Sequence, residues 1–289
     1  MTTSAARSGR KRSATGFRAS KAGIFGATLL TLLMAASLLA PLILPYNPLA
    51  QDFPALMPPS FTHLFGTDEL GRDVFTRVIY GLRASMTVAL VSATLAGTIG
   101  VLLGLLSGYL GGWLDAVVMR LMDIILAFPS TLVAVVLVAV MGGGITPLIA
   151  ALMVVGIPPF ARLTRASVIS IRERAYVAAQ KAAGASNVDI MIRTVLPNSV
   201  GGAAVQFVVA ASTAVLTESG LSFLGLGLPP PTPALGEMLA AGNDNLFIAP
   251  WYPMAIGFSI TVLVMALDAL GSGLQQQFGA ATRRTAVVA

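Results

Sequence analysis

The sequence predicts an all-α polytopic membrane protein with six transmembrane helices. Of the 289 residues, 56% are hydrophobic and only 10% are charged, whereas soluble domains carry about 25% charged residues. The mean hydropathy of +0.84 also favours lipid as the main solvent. A pI near 10.2 is typical of a nucleic-acid-binding protein only where Lys and Arg cluster on one surface. Here the basic residues are spread thinly between apolar runs, so we expect membrane lipid and not nucleic acid as a partner.

The composition excludes most catalytic and metal-binding sites. The chain has no cysteine and a single histidine, His63, which rules out thiolate ligands, a Cys nucleophile and a multi-His metal site. None of its lysines follows a glycine, so the sequence has no phosphate-binding loop. A Ser-His-Asp triad would need His63, which we expect to be a solvated loop residue without a G-x-S-x-G elbow. We therefore predict no catalytic residue, metal or cofactor on this chain; if the protein works with ATP, another chain binds the ATP and its magnesium.

Six apolar stretches are long enough to cross a membrane. A bilayer core of about 30 Å takes about 20 helical residues. The sequence offers such stretches at residues 22–44, 85–109, 121–141, 145–161, 199–217 and 251–272. The first exceeds the apolar region of a cleaved signal peptide, which is about 7–15 residues long, and this favours an uncleaved signal anchor. Pro129 predicts a kink within the third stretch, for which neighbouring helices would have to compensate.

The basic residues predict the orientation of the spans. An even number of spans places both termini on the same side of the membrane. Fifteen of the 18 Lys and Arg residues fall in segments on that side and three on the other, so the positive-inside rule assigns the termini to the cytoplasm. The predicted cytoplasmic segments are the basic tail 1–21, the turn 109–123, the loop 162–198 and the tail 273–289. The predicted extracytoplasmic loops are residues 45–84, with a short amphipathic helix over 74–83, and residues 218–250.

The charged loop 162–198 is predicted to contain two short helices joined by a corner. Residues 173–183 are rich in alanine, the strongest helix former, and Gly184 can end this helix in a left-handed conformation. Ser186 can cap a second helix, which should stop before Pro197. Such an element is too small to fold alone, and its exposed alanines would suit docking to another protein. From these residues alone, an amphipathic loop resting on the membrane fits equally well.

Three stretches of the chain resemble the permease subunits of ABC importers. Residues 178–198, which begin AAQKAAGAS and end LPN, resemble the EAA loop of these permeases. Residues 66–73 (GTDELGRD) and 218–227 (ESGLSFLGLG) resemble one branch, the dipeptide/oligopeptide/nickel C-subunit type. The resemblance covers about residues 25–275 and implies the type I ABC-importer permease fold, which contains the EAA loop.

The chain departs from the EAA pattern at three positions in the loop. Ala178 stands where the family has the acidic residue that gives the motif its name, Gln180 replaces the second alanine, and Thr194 replaces an isoleucine. After the last span, residues 271–276 lack the acidic and basic run that is usual in the family. These changes concern individual contacts to an ATPase more than the docking geometry.

The resemblance implies a permease subunit of an ATP-driven importer in the plasma (inner) membrane of a prokaryote. In similar proteins the EAA loop docks into a groove of an ATPase subunit, and closure of the ATPases switches the permease from outward-facing to inward-facing. The implied partners are two ATPase subunits, a second similar permease subunit that completes a heterodimer, and an extracytoplasmic substrate-binding protein. The implied cargo is a di- or oligopeptide, with nickel or another small solute as the alternative.

Two other functions are compatible with six spans. A secondary transporter driven by an ion gradient should show inverted repeats around a site at the membrane midplane, and residues 22–141 and 145–272 show no such repeat. A membrane-embedded assembly protein without transport has no specific sequence feature in its favour.

Three groups of candidate site residues follow. The predicted ATPase-coupling residues are Tyr176, Ala178, Ala179, Gly184, Ala185, Ser186 and Asn187. Glu218 and Asp268 are candidate translocation-path residues, because ionisable residues at membrane depth are costly and usually face a cavity or a partner. The alternative for these two is a structural pair with a basic residue such as Arg83, or with the partner subunit. The residues expected to shape the outer loop, as a candidate docking site for a binding protein, are Asp68, Glu69, Arg72 and Asp73.

Overall fold

The computed structural model describes the backbone of residues 20–286 and the side chains of residues 20–277, so most of the predicted basic tail 1–21 and the last three residues lie outside the described part. Most of that part is helical. The elements are α1 (Lys21–Ile43), α2 (Val74–Leu110), α3 (Gly112–Leu126), α4 (Ser130–Met141), α5 (Ile145–Arg172), α6 (Ala175–Ala182), α7 (Asn187–Ile190), a π-helical turn (Met191–Val195), α8 (Leu196–Phe223), α9 (Leu235–Asp244) and α10 (Trp251–Ala286). Within residues 20–286 the only β pairing is a single bridge between Thr67 and Asp73, which confirms the predicted all-α class.

Five helical segments of the described chain are long and apolar enough to span a membrane: α1, α2, α5, α10 and the continuous segment Asn187–Phe223. α3 and α4 together meet the same criterion, but the break between them bends the chain by 88°. Pro129 directly precedes α4 and has no N–H to continue the hydrogen bonds of α3. The described part therefore has six spans if this broken pair counts as one, and Pro129 marks a complete helix break rather than the predicted kink.

The spanning helices extend well beyond the uncharged stretches. α2 begins at Val74, where the Asp73 side chain accepts a hydrogen bond from the Thr76 N–H at 2.8 Å. The predicted amphipathic helix and the second predicted span are thus one continuous helix of 37 residues. α5 continues to Arg172, far into the predicted loop 162–198. Charge marks where a chain leaves the hydrocarbon core, but helical hydrogen bonds persist in water, so charge does not mark where these helices end.

A large apolar core joins α2, α4, α5, α8, α9 and α10; its fully buried members include Leu148, Leu263 and Ile256. α2 and α5 make the most extensive contact. Glycines of α2 permit it, since a Cβ on Gly100 would lie only 2.8 Å from the Ile157 carbonyl oxygen. Small residues at such crossings allow two spanning helices to approach closely. α1 packs mainly against α10.

The bundle has two distinct ends. One end, here called the loop end, carries residues 44–73, the α4–α5 turn and α9; the Gly144 N–H in that turn donates to the Gly227 carbonyl oxygen at 3.1 Å. The other end, here called the coupling end, carries α6, α7 and the π-helical turn. A second, smaller apolar cluster holds these elements on α2 and α5, and its members are Leu105, Tyr109, Val168, Ile171, Val177, Ile190, Met191 and Val195.

Candidate functional site

The chain between α5 and α8 forms a compact corner at the coupling end. After α6, Gly184 has a φ of +85°, in the left-handed region that favours glycine. The Ala185 N–H donates to the Gln180 carbonyl oxygen at 3.1 Å, which satisfies one of the free carbonyl groups at the end of α6. The Ser186 side chain then accepts a hydrogen bond from the Asp189 N–H at 3.2 Å and caps α7. The glycine corner and the serine cap therefore agree with the sequence prediction.

The second helix of the corner runs directly into α8. The π-helical turn Met191–Val195 continues α7, and α8 follows without a break, with Pro197 in its first turn. The predicted stop before Pro197 is therefore wrong. A proline is tolerated in a first helical turn, where its missing N–H costs least, and the wider π-helical turn occurs directly before it, as such turns do where a helix accommodates an irregularity.

Tyr109, near the C-terminus of α2, fixes the corner to the bundle. Its hydroxyl donates to Asn187 Oδ1 at 3.0 Å, and its carbonyl oxygen accepts a hydrogen bond from Arg172 Nη1 at 2.8 Å. The Lys181 ammonium lies 5.4 Å from the centroid of the Tyr109 ring, within the range of a cation–π contact. Sequence reasoning missed Tyr109. The only feature of the sequence that could have pointed to it is the position of a phenol side chain where an apolar span ends and charged residues begin.

Two of the three departures from the EAA pattern contact each other. Thr194 Oγ1 donates to Gln180 Oε1 at 3.0 Å, which ties α6 to the π-helical turn. The Thr194 hydroxyl is therefore paired inside the corner. Ala178 is exposed, so the absent acidic side chain changes the accessible surface instead.

The corner exposes most of the predicted coupling residues. Tyr176 is 45% exposed and Ala185 is half-buried, while the other five are exposed: Ala178, Ala179, Gly184, Ser186 and Asn187. Val188 and Ile192, which sequence reasoning missed, are 63% and 56% exposed. We call these nine residues the coupling surface. Exposed apolar side chains that lie together are typical of sites that contact another protein or the membrane.

The four predicted outer-loop residues form a largely buried network at the loop end. Arg72 Nε lies 2.6 Å from Asp68 Oδ2, and Arg72 Nη2 lies 3.1 Å from Glu69 Oε1. Asp68, Arg72 and Asp73 are buried, and only Glu69 is partly accessible. The side chains of Asp68, Arg72 and Asp73 therefore bind their neighbours and hold the loop in shape.

Arg77, in the first turn of α2, connects this network to the rest of the loop end. Its side chain is 1% exposed, with Nε 3.4 Å from Asp68 Oδ2 and Nη2 3.8 Å from Glu237 Oε2 of α9. Its Nη1 donates to the Pro48 carbonyl oxygen at 3.1 Å. Burial raises the pKa of the Glu237 carboxyl, and the Arg77 charge opposes that rise. Sequence reasoning missed Arg77, because its partners lie far away along the chain.

His63 is buried and paired, and not solvated as predicted. Its Nδ1 lies 2.9 Å from Asp73 Oδ1, and its ring packs against Tyr46 and Phe53 with centroid separations of 5.2 and 4.3 Å. The other oxygen of Asp73 caps α2. One carboxylate therefore joins the outer loop to the start of a spanning helix, which a reading of the polar loop sequence could not show.

Glu218 lies fully buried in α8, near the loop end. Its Oε2 accepts a hydrogen bond from Ser85 Oγ of α2 at 2.7 Å, and its Oε1 accepts one from Ser222 Oγ at 2.8 Å. Arg83, the basic partner considered from the sequence, is exposed. In this conformation the carboxylate ties α2 to α8 through hydroxyl groups and has no contact with solvent.

Known proteins similar to this chain identify its family. Residues 100–284, more than half of the chain, match the family described as "Binding-protein-dependent transport system inner membrane component". The chain belongs to this family. Residues 11–59 match a second description, "N-terminal TM domain of oligopeptide transport permease C". The protein is therefore a permease subunit of an ABC importer and a multi-pass protein of the bacterial plasma membrane, as the sequence resemblance implied.

Relatives of the permease match it over most of its length. "Di/tripeptide transport system permease protein DppC" of Pseudomonas aeruginosa (strain UCBPP-PA14) is 39% identical over 267 residues, which cover 90% of this chain and 88% of the relative. "Dipeptide transport system permease protein DppC" of Alkalihalophilus pseudofirmus is 39% identical over 257 residues, or 88% and 84%. The inward-facing MetNI methionine ABC transporter aligns with a TM-score of 0.57 at 18% identity, over 70% of this chain and 96% of that one. This structural likeness confirms the predicted permease fold.

A Glu218→Ala variant of the permease should lose stability and not only transport. The change leaves the Ser85 and Ser222 hydroxyls without their acceptor and opens a void, which together destabilise by about 2–4 kcal/mol. We expect a lower melting temperature of the purified complex, and an intermediate value for Glu218→Gln, which keeps one acceptor oxygen. An unchanged melting temperature with lost uptake would instead indicate a translocation-path role for Glu218.

Asp268 of the permease is exposed on α10. It shares a helix face with Met254, Phe258 and Met265, which are exposed and follow one another at helical spacing. The structure does not bring Asp268 together with Glu218, which lies on another helix and nearer the loop end. A carboxylate on an apolar helix face is costly in lipid. We therefore expect this face of α10 to contact a partner protein or to line an aqueous path.

Proposed function

We propose that this permease carries di- or oligopeptides as one half of a heterodimeric, ATP-driven importer. One observation carries the proposal: the exposed coupling surface around Gly184 is built into the ends of two spanning helices. ATP and magnesium bind to the partner ATPase subunits, and this chain contributes no catalytic group. The names of its relatives, which are peptide, di/tripeptide and dipeptide permeases, support the cargo.

The coupling surface acts by transmitting movement. Only Glu173 and Arg174 separate α5 from α6, and α7 continues through the π-helical turn into α8, so a rigid corner joins two spanning helices. Tyr109 adds a third connection, to α2. An ATPase that binds the corner more tightly in one arrangement of the bundle shifts the population toward that arrangement, which is what alternating access requires.

The coupling end faces the cytoplasm in this proposal. Fifteen of the 18 basic residues lie in segments assigned to that side, and the positive-inside rule supports the orientation. The binding protein then docks at the loop end. Because three of the predicted docking side chains are buried, docking falls to the partly accessible Glu69 and to exposed parts of the loop such as Phe61.

A second permease subunit covers the exposed face of α10. Met254, Phe258 and Met265 offer it an apolar contact, and packing there shields Asp268 from lipid. The peptide path then runs between the two subunits. Within this chain, α2 and α5 are in close contact at small residues, so the space between these two helices is not available to a peptide.

Reconstitution of the complete complex tests the proposed function. The purified complex is placed in liposomes with its binding protein, and the uptake of a labelled dipeptide and of nickel is measured. We expect dipeptide uptake that needs ATP and stops when the ATP site of the partner subunits is disabled. Dipeptide uptake that is driven by an ion gradient and needs no ATP would favour a secondary transporter. If nickel is taken up and an excess of dipeptide does not reduce that uptake, nickel and not a peptide is the cargo.

A further inference from the structure

α3 contributes no side chain to the main apolar core and contacts α2 and α5 outside it. Of its 15 residues, only Met122 is buried. α4, on the other side of the break at residues 127–129, buries Ala134 and Val138 completely against the core. The two halves of the broken span are thus attached differently: α4 belongs to the core, and α3 lies mostly outside it.

Two ion pairs cross a polar cleft between α3 and α5. Arg165 binds both carboxylate oxygens of Asp115, with Nε–Oδ1 at 2.5 Å and Nη2–Oδ2 at 2.6 Å. Arg162 binds Asp123. The cleft has a volume of about 530 Å³, and the four charged side chains form most of its lining. These pairs therefore bridge open space and do not sit inside a packed interface.

The two pairs differ in their expected strength. The Arg165 and Asp115 side chains are 33% and 20% exposed, and a bidentate guanidinium–carboxylate pair is among the stronger polar contacts in proteins. The Arg162 and Asp123 side chains are 50% and 47% exposed, and ion pairs at such exposure contribute little. Arg165–Asp115 is therefore the stronger of the two ion pairs, and Arg162–Asp123 provides a control on the same two helices.

Arg165 lies on the part of α5 that leads to the coupling surface. It precedes Arg172, the last residue of α5, by about two helical turns. Tyr109 fixes that end to α2 and to the corner. A movement of the corner therefore moves Arg165, and α3 can follow through Asp115 if the chain turns at residues 127–129.

We propose that the Asp115–Arg165 ion pair passes movement of the coupling surface to α3, so that α3 turns relative to α4 at the break before Pro129. Both are positioning residues. The inference rests on the proposed function of the coupling surface. When the pair is removed, the ATPase subunits still bind and hydrolyse ATP, but α3 does not follow and less cargo moves for each ATP.

Charge variants of the complete reconstituted complex test this link. Asp115→Asn is expected to retain the ATPase subunits and to lower uptake per ATP hydrolysed about 5-fold or more, the lower limit for a typical coupling free energy. The exchange D115R/R165D should restore at least half of that loss, and Asp123→Asn should leave the ratio unchanged. An unchanged ratio in Asp115→Asn overturns the inference, as does an equal loss in Asp123→Asn. Failure of the wild-type complex to couple uptake to ATP would contradict the proposed function instead.

Distance measurements provide a second test, independent of whether Asp115 variants assemble. The chain has no cysteine, so spin labels can be placed at exposed sites on α3, α4 and α5, namely Val117, Val136 and Ala166. We compare the complex with ATP to the complex without ATP. Between these two states, we expect the distance between labels 117 and 136 to change and the distance between labels 117 and 166 to stay constant. A 117–166 distance that changes as much as the 117–136 distance refutes the link.

Discussion

Gly184→Val is expected to leave the importer able to hydrolyse ATP but unable to couple hydrolysis to uptake. Gly184 has a φ of +85°, and no atom of this chain lies within 4 Å of a Cβ built there, so the change acts on the fold of the corner mainly through the backbone. A left-handed conformation costs an L-residue about 1–2 kcal/mol, and a β-branched residue is the least suited to it. That cost lowers the population of the native corner by roughly 5- to 30-fold. Parallel assays of ATP hydrolysis and uptake in proteoliposomes measure the effect.

Gly142 provides a control for this variant. Its φ is +84° and it also has open space around a built Cβ, but it lies in the α4–α5 turn at the loop end. Its ψ of 154° lies in a region that is essentially restricted to glycine. Gly142→Val therefore introduces at least as much backbone strain away from the coupling surface and should keep uptake and hydrolysis in proportion. Gly184→Asn should recover most of the uptake, since asparagine tolerates the left-handed region. Wild-type uptake in Gly184→Val, or equal uncoupling in Gly142→Val, contradicts the assigned role of the corner.

Arg77→Ala is expected to destabilise the whole loop end. It deprives the buried Asp68 carboxylate and Glu237 of a cationic neighbour and leaves the Pro48 carbonyl oxygen without its side-chain donor. Because Asp68 keeps its ion pair with Arg72, we expect a loss of about 2–3 kcal/mol, the upper part of the usual range for one substitution, and thus a fall of roughly 3–5 °C in melting temperature. Thermal unfolding of the detergent-solubilised complex measures it.

Arg83→Ala is the control for the loss of an arginine from the same helix. Arg83 is exposed, and exposed substitutions usually change stability by less than about 0.5 kcal/mol. Its melting temperature should therefore stay close to that of the wild type. Similar shifts in the two variants would show that Arg77 has no special structural role.

The features that the sequence predicts well are those encoded by neighbouring residues. Gly184 and Ser186 determine the corner and its cap through local backbone conformation and one short-range hydrogen bond. The extents of the spanning helices were harder to predict, because charge marks the water boundary and not the helix end. Pro197 shows the limit of a local rule: a proline that usually follows a helix here lies in the first turn of one.

Long-range contacts account for the site residues that could not be predicted. Arg77 is buried and has several partners only because the fold brings Pro48 and Glu237 against it. The contact between Gln180 and Thr194 joins residues 14 positions apart, so each looked like an isolated departure from the family pattern. Side chains whose partners are defined by tertiary packing carry no signal in the sequence of one chain.

Because the helix runs without a break from the corner into α8, a small tilt at the coupling end produces a larger displacement at the loop end. Asn187–Phe223 is one helical segment of 37 residues, or about 55 Å in length. Over that length, a tilt of about 5° at the coupling end displaces the loop end by roughly 5 Å. A small rotation imposed by a partner could thus become a displacement comparable to the width of a peptide backbone, near the level of Glu218.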